Sequence, residues 1–183
     1  MLLKDYIQKC LIDDEFSSYW SIELDKIVGE EPTYEFESLT TSEALSVLEA
    51  DSLDTIIKNK GIHSGIKAQT SIEFYEKNNK CQVADFLDSI YDEKLKAKTL
   101  LNIVNLSMAG RNARPPLSKY IDDGMYELRS KQSNNITRIF YFFVVGNKIV
   151  LTNGYIKKDQ KLDKEEFERA KKYRNEYLRR RKH

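Results

Sequence analysis

The stretch that most constrains the fold is Thr137–Ala170, TRIFYFFVVGNKIVLTNGYIKKDQKLDKEEFERA. Two apolar runs rich in β-branched and aromatic residues flank a tight Gly-Asn pair, the signature of a β-hairpin. The second run ends in a cluster of lysines. A charged helix follows, with Asp163 as its N-cap and Glu166, three residues on, as the capping-box partner. A chain of formal net charge +1 thus sets a basic cluster at the end of a buried hairpin.

Around this hairpin the remaining elements fall into order. TSIEFYE (70–76) alternates and reads as a strand. Helices are expected over about 82–91, with Val83, Phe86, Leu87 and Ile90 on one face, and over about 92–108. Gly110 suits the C-terminal cap of the second, and Pro115-Pro116 forbid its continuation. GMYELRSK (124–131), ITRIFYFFVV (136–145) and KIVLTNGYIKK (148–158) read as three sequential strands with short connections, hence an antiparallel meander. The order β-α-α-β-β-β-α predicts an α+β domain with a four-stranded, mainly antiparallel sheet and helices packed on one face.

The front of the chain reads differently. Residues 3–28 have helical spacing, broken near DDEF (13–16), where an Asp can serve as N-cap. Residues 29–40 read as loop or short strand, and a further helix is expected over about 41–59. NKGIHSGIK (59–67) reads as a linker. The expected division is an acidic, mostly helical segment 1–65, ending in a linker near 59–67, and a compact domain 66–183. Residues 1–65 carry 5 Lys/Arg against 14 Asp/Glu, a balance of −9, and residues 66–183 carry 25 against 15, a balance of +10. Opposed halves of this size point to a basic module that binds an anion and an acidic segment that shields it.

Composition excludes several classes. Apolar residues make up 40% and charged residues 32% of 183, as in soluble globular proteins. No run of about 18 apolar residues exists to span a membrane. Acidic residues arrive too early at the N-terminus for a signal peptide. Cys10 and Cys81 form no disulfide framework, and with two His in the chain a metal site is not expected. A reducing cytoplasm fits. No phosphate-cradling glycine motif is present, so no nucleotide cofactor is expected.

What remains for chemistry is a set of cations on the sheet. Arg129 and Lys131 share a face of one strand by alternation. Arg138 lies in the central strand, with Tyr141 expected nearby. Lys157, Lys158, Gln160 and Lys161 follow the last strand. Such groups neutralise phosphates and clamp an RNA backbone. They also stabilise the phosphorane formed when a ribose 2′-OH attacks the adjacent phosphate, and a Tyr or Lys can move the protons. The rings of Tyr141 or Tyr155 could stack on bases.

At these residues the chain resembles a known group. EFYEKNNKCQVADFLDSI, LSKYIDDGMYELRSKQSNNITRIFYFF and IVLTNGYIKKDQKLDKEEFERAKKYRNEY, within residues 71–181, are similar to the RelE/ParE superfamily of type II toxin–antitoxin toxins, in particular the HigB-like, phage-derived branch. The resemblance implies a RelE-like fold and a metal-independent endoribonuclease that cuts mRNA in the ribosomal A site, leaving a 2′,3′-cyclic phosphate. It matches Arg129 to the Arg of the ELR strand, Arg138 to the Arg of the RIFYF strand, and Lys157, Lys158 and Lys161 to the basic block after the last strand. Two positions depart from it: Asn153 stands where many HigB-like relatives carry His, and Glu127 where some carry Lys. On this reading Arg138, Arg129 and Tyr141 are the catalytic residues, and Lys131, Lys157, Lys158, Gln160 and Lys161 bind RNA.

The implied partners are the ribosome, mRNA and a cognate antitoxin. LKDYIQKCLIDDEFSSYW is similar to the opening of antitoxins that pair with HigB-like toxins. The acidic segment is then expected to cover the basic domain in cis, or that of another copy in a homo-oligomer. Two alternatives stand beside this reading: a ParE-type gyrase inhibitor that cuts no RNA, and a silenced regulatory binding module.

Overall fold

The computed structural model describes residues 1–28, 70–145, 147–157 and 162–181. Helices α1 (Leu3–Cys10) and α2 (Asp14–Val28) open the chain. Strand β1 (Ser71–Phe74), helices α3 (Gln82–Asp88) and α4 (Glu93–Ala109), strands β2 (Ser118–Asp122), β3 (Met125–Gln132), β4 (Asn135–Val144) and β5 (Lys148–Ile156), and helix α5 (Lys164–Arg180) follow. The expected helix over 41–59 and linker over 59–67 lie outside the described residues.

The sheet has five strands in the order β1-β5-β4-β3-β2, not four. β1 runs parallel to β5, and the other pairs are antiparallel. The unforeseen strand is β2, an edge strand with one buried residue, Ser118. Its apolar alternation is too weak to read. The turn that joins it to β3 has a local signal that the sequence reading passed over. Asp123 and Gly124 both have positive φ, 49° and 69°, as a two-residue Asp-Gly hairpin demands.

Helices cover both faces, which corrects the one-faced packing expected from sequence. On one face a single core joins Leu128, Ile139, Ile149 and Leu151 of the sheet to α3, α4 and the two N-terminal helices. On the other, Phe140, Phe142 and Val150 pack against Phe167, Ala170 and Tyr177 of α5. The alternation of β4 explains the split: Ile139 and Tyr141 point one way, Phe140 and Phe142 the other. A strand apolar on both sides must be covered on both sides.

The N-terminal helices are part of the first core. Leu3, Tyr6, Ile7, Phe16 and Trp20 are buried in it. Asp13 caps α2 through the Phe16 amide, 2.8 Å, so the break expected at DDEF is realised. On α3, Asp88 accepts from Tyr6 Oη and Lys9 Nζ, each at 2.7 Å. Leu2 also bridges the outer edge of β1 at Glu73. α1 and α2 therefore lie on the face opposite α5. They do not shield the cations of the α5 face, as residues 1–65 were expected to do.

A candidate phosphate-binding surface on the sheet

Register places the chemistry. Arg129 of β3 pairs with Arg138 of β4, and Arg138 pairs with Tyr155 of β5. One step toward the strand ends, Lys131 pairs with Ile136, and the Lys157 amide donates to the Ile136 carbonyl at 2.8 Å. One step inward lie Glu127, Phe140 and Asn153. All of these share the α5 face of the sheet by alternation. The strand backbones are held from behind. On α4, Asn102 Nδ2 donates to the Arg129 carbonyl at 3.1 Å, and the hydroxyls of Thr99 and Thr137 meet at 3.0 Å beside Arg138.

Glu127 organises the cluster. Its carboxylate is fully buried. One oxygen accepts from Arg129 Nε and the other from Arg138 Nη1, each at 2.5 Å. One carboxylate thus serves two guanidinium groups and leaves a net positive charge. Arg138 is 7% exposed, and its Nε has no hydrogen-bond partner among the described residues. Arg129 keeps 31% of its side chain exposed and forms the open side of the pair. Lys157 stands beside both. Loss of hydration, and then repulsion from Arg138 and Arg129, hold its ammonium below the usual lysine range.

Tyr155 completes the wall. Its ring packs on Phe140 at 5.8 Å, and its hydroxyl accepts from the Asp163 amide at 3.5 Å. Burial raises its phenol, while the Asp163 amide and Arg138 pull it back. Asp163 caps α5 as expected, accepting from the Glu165 and Glu166 amides at 3.1 Å. Glu166 is not the expected capping-box partner. Its Oε2 accepts from Asn153 Nδ2 at 2.7 Å, and Oε1 accepts from Arg169. Asn153 also donates to the Glu166 carbonyl at 3.1 Å, so this side chain sets where α5 begins over the sheet.

The structure therefore brings together Arg129, Arg138, Lys131 and Lys157. Lys158, Gln160 and Lys161 lie outside the described residues. Tyr141 does not belong to the cluster. It is buried on the opposite face, hydrogen-bonded to the Ser118 hydroxyl and stacked at 5.3 Å on Tyr126. Burial pushes its phenol up to about 12. Three residues separate Tyr141 from Arg138, and in a strand an odd step changes face. The same parity places Tyr155 with Lys157. Two residues that sequence reading treated as departures, Glu127 and Asn153, are the ones that hold the arginines and α5. Among the described residues no group of carboxylates, His and Cys is placed to hold a metal ion.

No curated protein matches the chain. Residues 85–175 match the family model described as phage derived protein Gp49-like. The match runs from α3 through the whole meander into α5, and so spans Glu127, Arg129, Arg138, Asn153, Tyr155 and Lys157. That stretch, with the site it carries, is what the chain shares with the phage-derived, Gp49-like proteins.

Proposed function

We propose that the chain is the toxin of a type II toxin–antitoxin pair, and that it cuts mRNA on the ribosome. The observation that carries this is the pair of guanidinium groups, Arg129 and Arg138, fixed on one buried carboxylate with Lys157 alongside. Such a pair fits a phosphodiester and the extra negative charge that builds on it in the transition state. Desolvation and the neighbouring arginines move the Lys157 ammonium below the usual lysine range, the direction that favours a proton acceptor. In the proposed reaction its neutral amine takes the proton of a ribose 2′-hydroxyl. The 2′-oxygen attacks the adjacent phosphorus, and Arg129 and Arg138 hold the phosphorane. The P–O5′ bond then breaks, the 5′-oxygen takes a proton from water, the Lys157 ammonium returns its proton to the hydroxide so formed, and the 2′,3′-cyclic phosphate remains. Tyr155, hydrogen-bonded within this wall, takes the role that sequence reading gave to Tyr141. The requirement for the ribosome rests on the resemblance to RelE-type toxins, and the cognate antitoxin is the partner the family implies.

An acidic cover, if it acts in cis, falls to residues 29–65, which carry 8 Asp/Glu against 2 Lys/Arg. The test is induction of the full chain in cells, followed by primer extension on abundant mRNAs. Wild type should arrest growth and leave breaks within codons. Arg129→Ala should remove both, and Tyr141→Phe should keep them. Arrest without breaks would overturn the nuclease reading in favour of a ParE-type mode.

A further inference from the structure

A second concentration of cations lies away from the sheet site, where α5 crosses the turn after β1. A cavity of about 350 Å³ opens there, lined by the side chains of Tyr75, Lys77, Lys80, Lys172 and Tyr173 with Asn78 and Gln82. Its floor is a closed two-residue hairpin. The Lys77 amide donates to the Lys80 carbonyl at 3.0 Å, and the Lys80 amide returns a bond to Lys77 at 2.9 Å. Asn78 and Asn79 between them have φ of 52° and 59°, the left-handed pair that such a turn needs. Directly paired residues of an antiparallel bridge project to the same side, and like charges in that arrangement repel. The hairpin nevertheless sets two lysines opposite each other, and α5 adds Lys172.

The local carboxylate is already committed. Glu176 accepts from Lys77 Nζ at 2.7 Å and from Tyr75 Oη at 2.8 Å, and these bonds, Lys77 first, lower its carboxyl. Lys80 and Lys172 enter no ion pair among the described residues. Tyr173 stacks on Tyr75 at 4.9 Å and 26°, which gives the cavity one rigid aromatic side. Two ammonium groups outside any ion pair among the described residues, side-chain amides and a ring in a small concave site suit a phosphorylated nucleoside. Nine residues of α5 separate its cap, Asp163, from Lys172, a rise of about 14 Å. An anion bound here is therefore distinct from one held by Arg129 and Arg138.

We propose that this cavity is a second anion site that takes the phosphate group of a nucleotide, with Lys80 and Lys172 as its ligands. The proposal does not need the chain to be a nuclease. The test follows the backbone amide resonances of the full chain during titration with inorganic phosphate, adenosine 5′-monophosphate and a short single-stranded oligoribonucleotide. Amides of Lys77 to Gln82 and of Lys172 and Tyr173 should shift. Lys80→Gln with Lys172→Gln should weaken that response about tenfold or more, with an unchanged circular dichroism spectrum. A response to the mononucleotide assigns a free nucleotide, and a response to the oligoribonucleotide alone assigns an RNA strand; either supports the site. Shifts confined to the Arg129 and Arg138 region, or wild-type affinity in the double variant, would overturn it. Arg129→Ala should abolish mRNA breaks and leave the Lys77–Gln82 shifts in place, so the two readings fail separately.

Discussion

At the scale of single residues, the site depends on one carboxylate. Glu127 is buried between two cations, and removing one member of a buried ion pair leaves uncompensated charge. Glu127→Ala should therefore cost about 3–5 kcal/mol of stability, measured by urea denaturation, and should also abolish cleavage. Loss of activity at full stability would show that Glu127 acts on the substrate rather than on the arginines. Lys157 supports a second expectation. Its ammonium is held low partly by Arg138 and Arg129, so the proton-accepting amine becomes populated at lower pH than for an ordinary lysine. Cleavage in a cell-free translation system should rise with pH. The residual activity of Arg129→Gln should rise at higher pH still, because one repelling cation is gone. A profile unmoved by Arg129→Gln would remove Lys157 from the proposed role. That Arg129, Arg138 and Lys157 share one face of the sheet was legible because strand parity is a local property. Tyr141 was misplaced because proximity in sequence was read without its odd spacing. The service of Glu127 to both arginines depends on cross-strand register, which no single strand displays.

Among the elements, β5 shows how a motif changes meaning with its surroundings. Asn-Gly usually closes a hairpin, yet Asn153-Gly154 sits inside a continuous strand. Packing accounts for the glycine: a Cβ at Gly154 would lie 2.3 Å from Cδ1 of the Phe86 ring on α3. Gly154→Ala should displace α3 and cost about 1–3 kcal/mol, seen as a lower Tm. An unchanged Tm would mean that Phe86 moves aside freely. Asn153 beside it faces the other way and seats α5. The helices and the four apolar strands were readable because each buries a periodic face. β2 was not, because its exposed edge position leaves almost nothing apolar to alternate.

For the whole molecule, the decisive fact is a sheet with two cores. The N-terminal helices belong to the core on the side away from the cations, and burying each large apolar side chain there is worth about 1.5–3 kcal/mol. Leu3, Tyr6, Ile7, Phe16 and Trp20 together match the margin of a typical domain, about 5–15 kcal/mol. A chain lacking residues 1–65 should lose its cooperative thermal transition or melt at least about 10 °C lower. If it melts like the full chain, the helices are ornamental. Growth assays on such a truncation would confuse unfolding with unmasking. Replacing the acidic residues of 29–65 by Asn and Gln tests masking without that fault. Charge asymmetry was legible from composition, but which face α1 and α2 occupy was not, since it depends on long-range packing. A sheet lined on both sides also acts as a partition. Substitutions behind it, among α1 and α2 and away from the Asn102 and Thr99 that brace the arginine strands, can drift in shape and size while the guanidinium wall in front keeps its geometry. Tolerance to change and precision of recognition are thus assigned to opposite sides of the same strands.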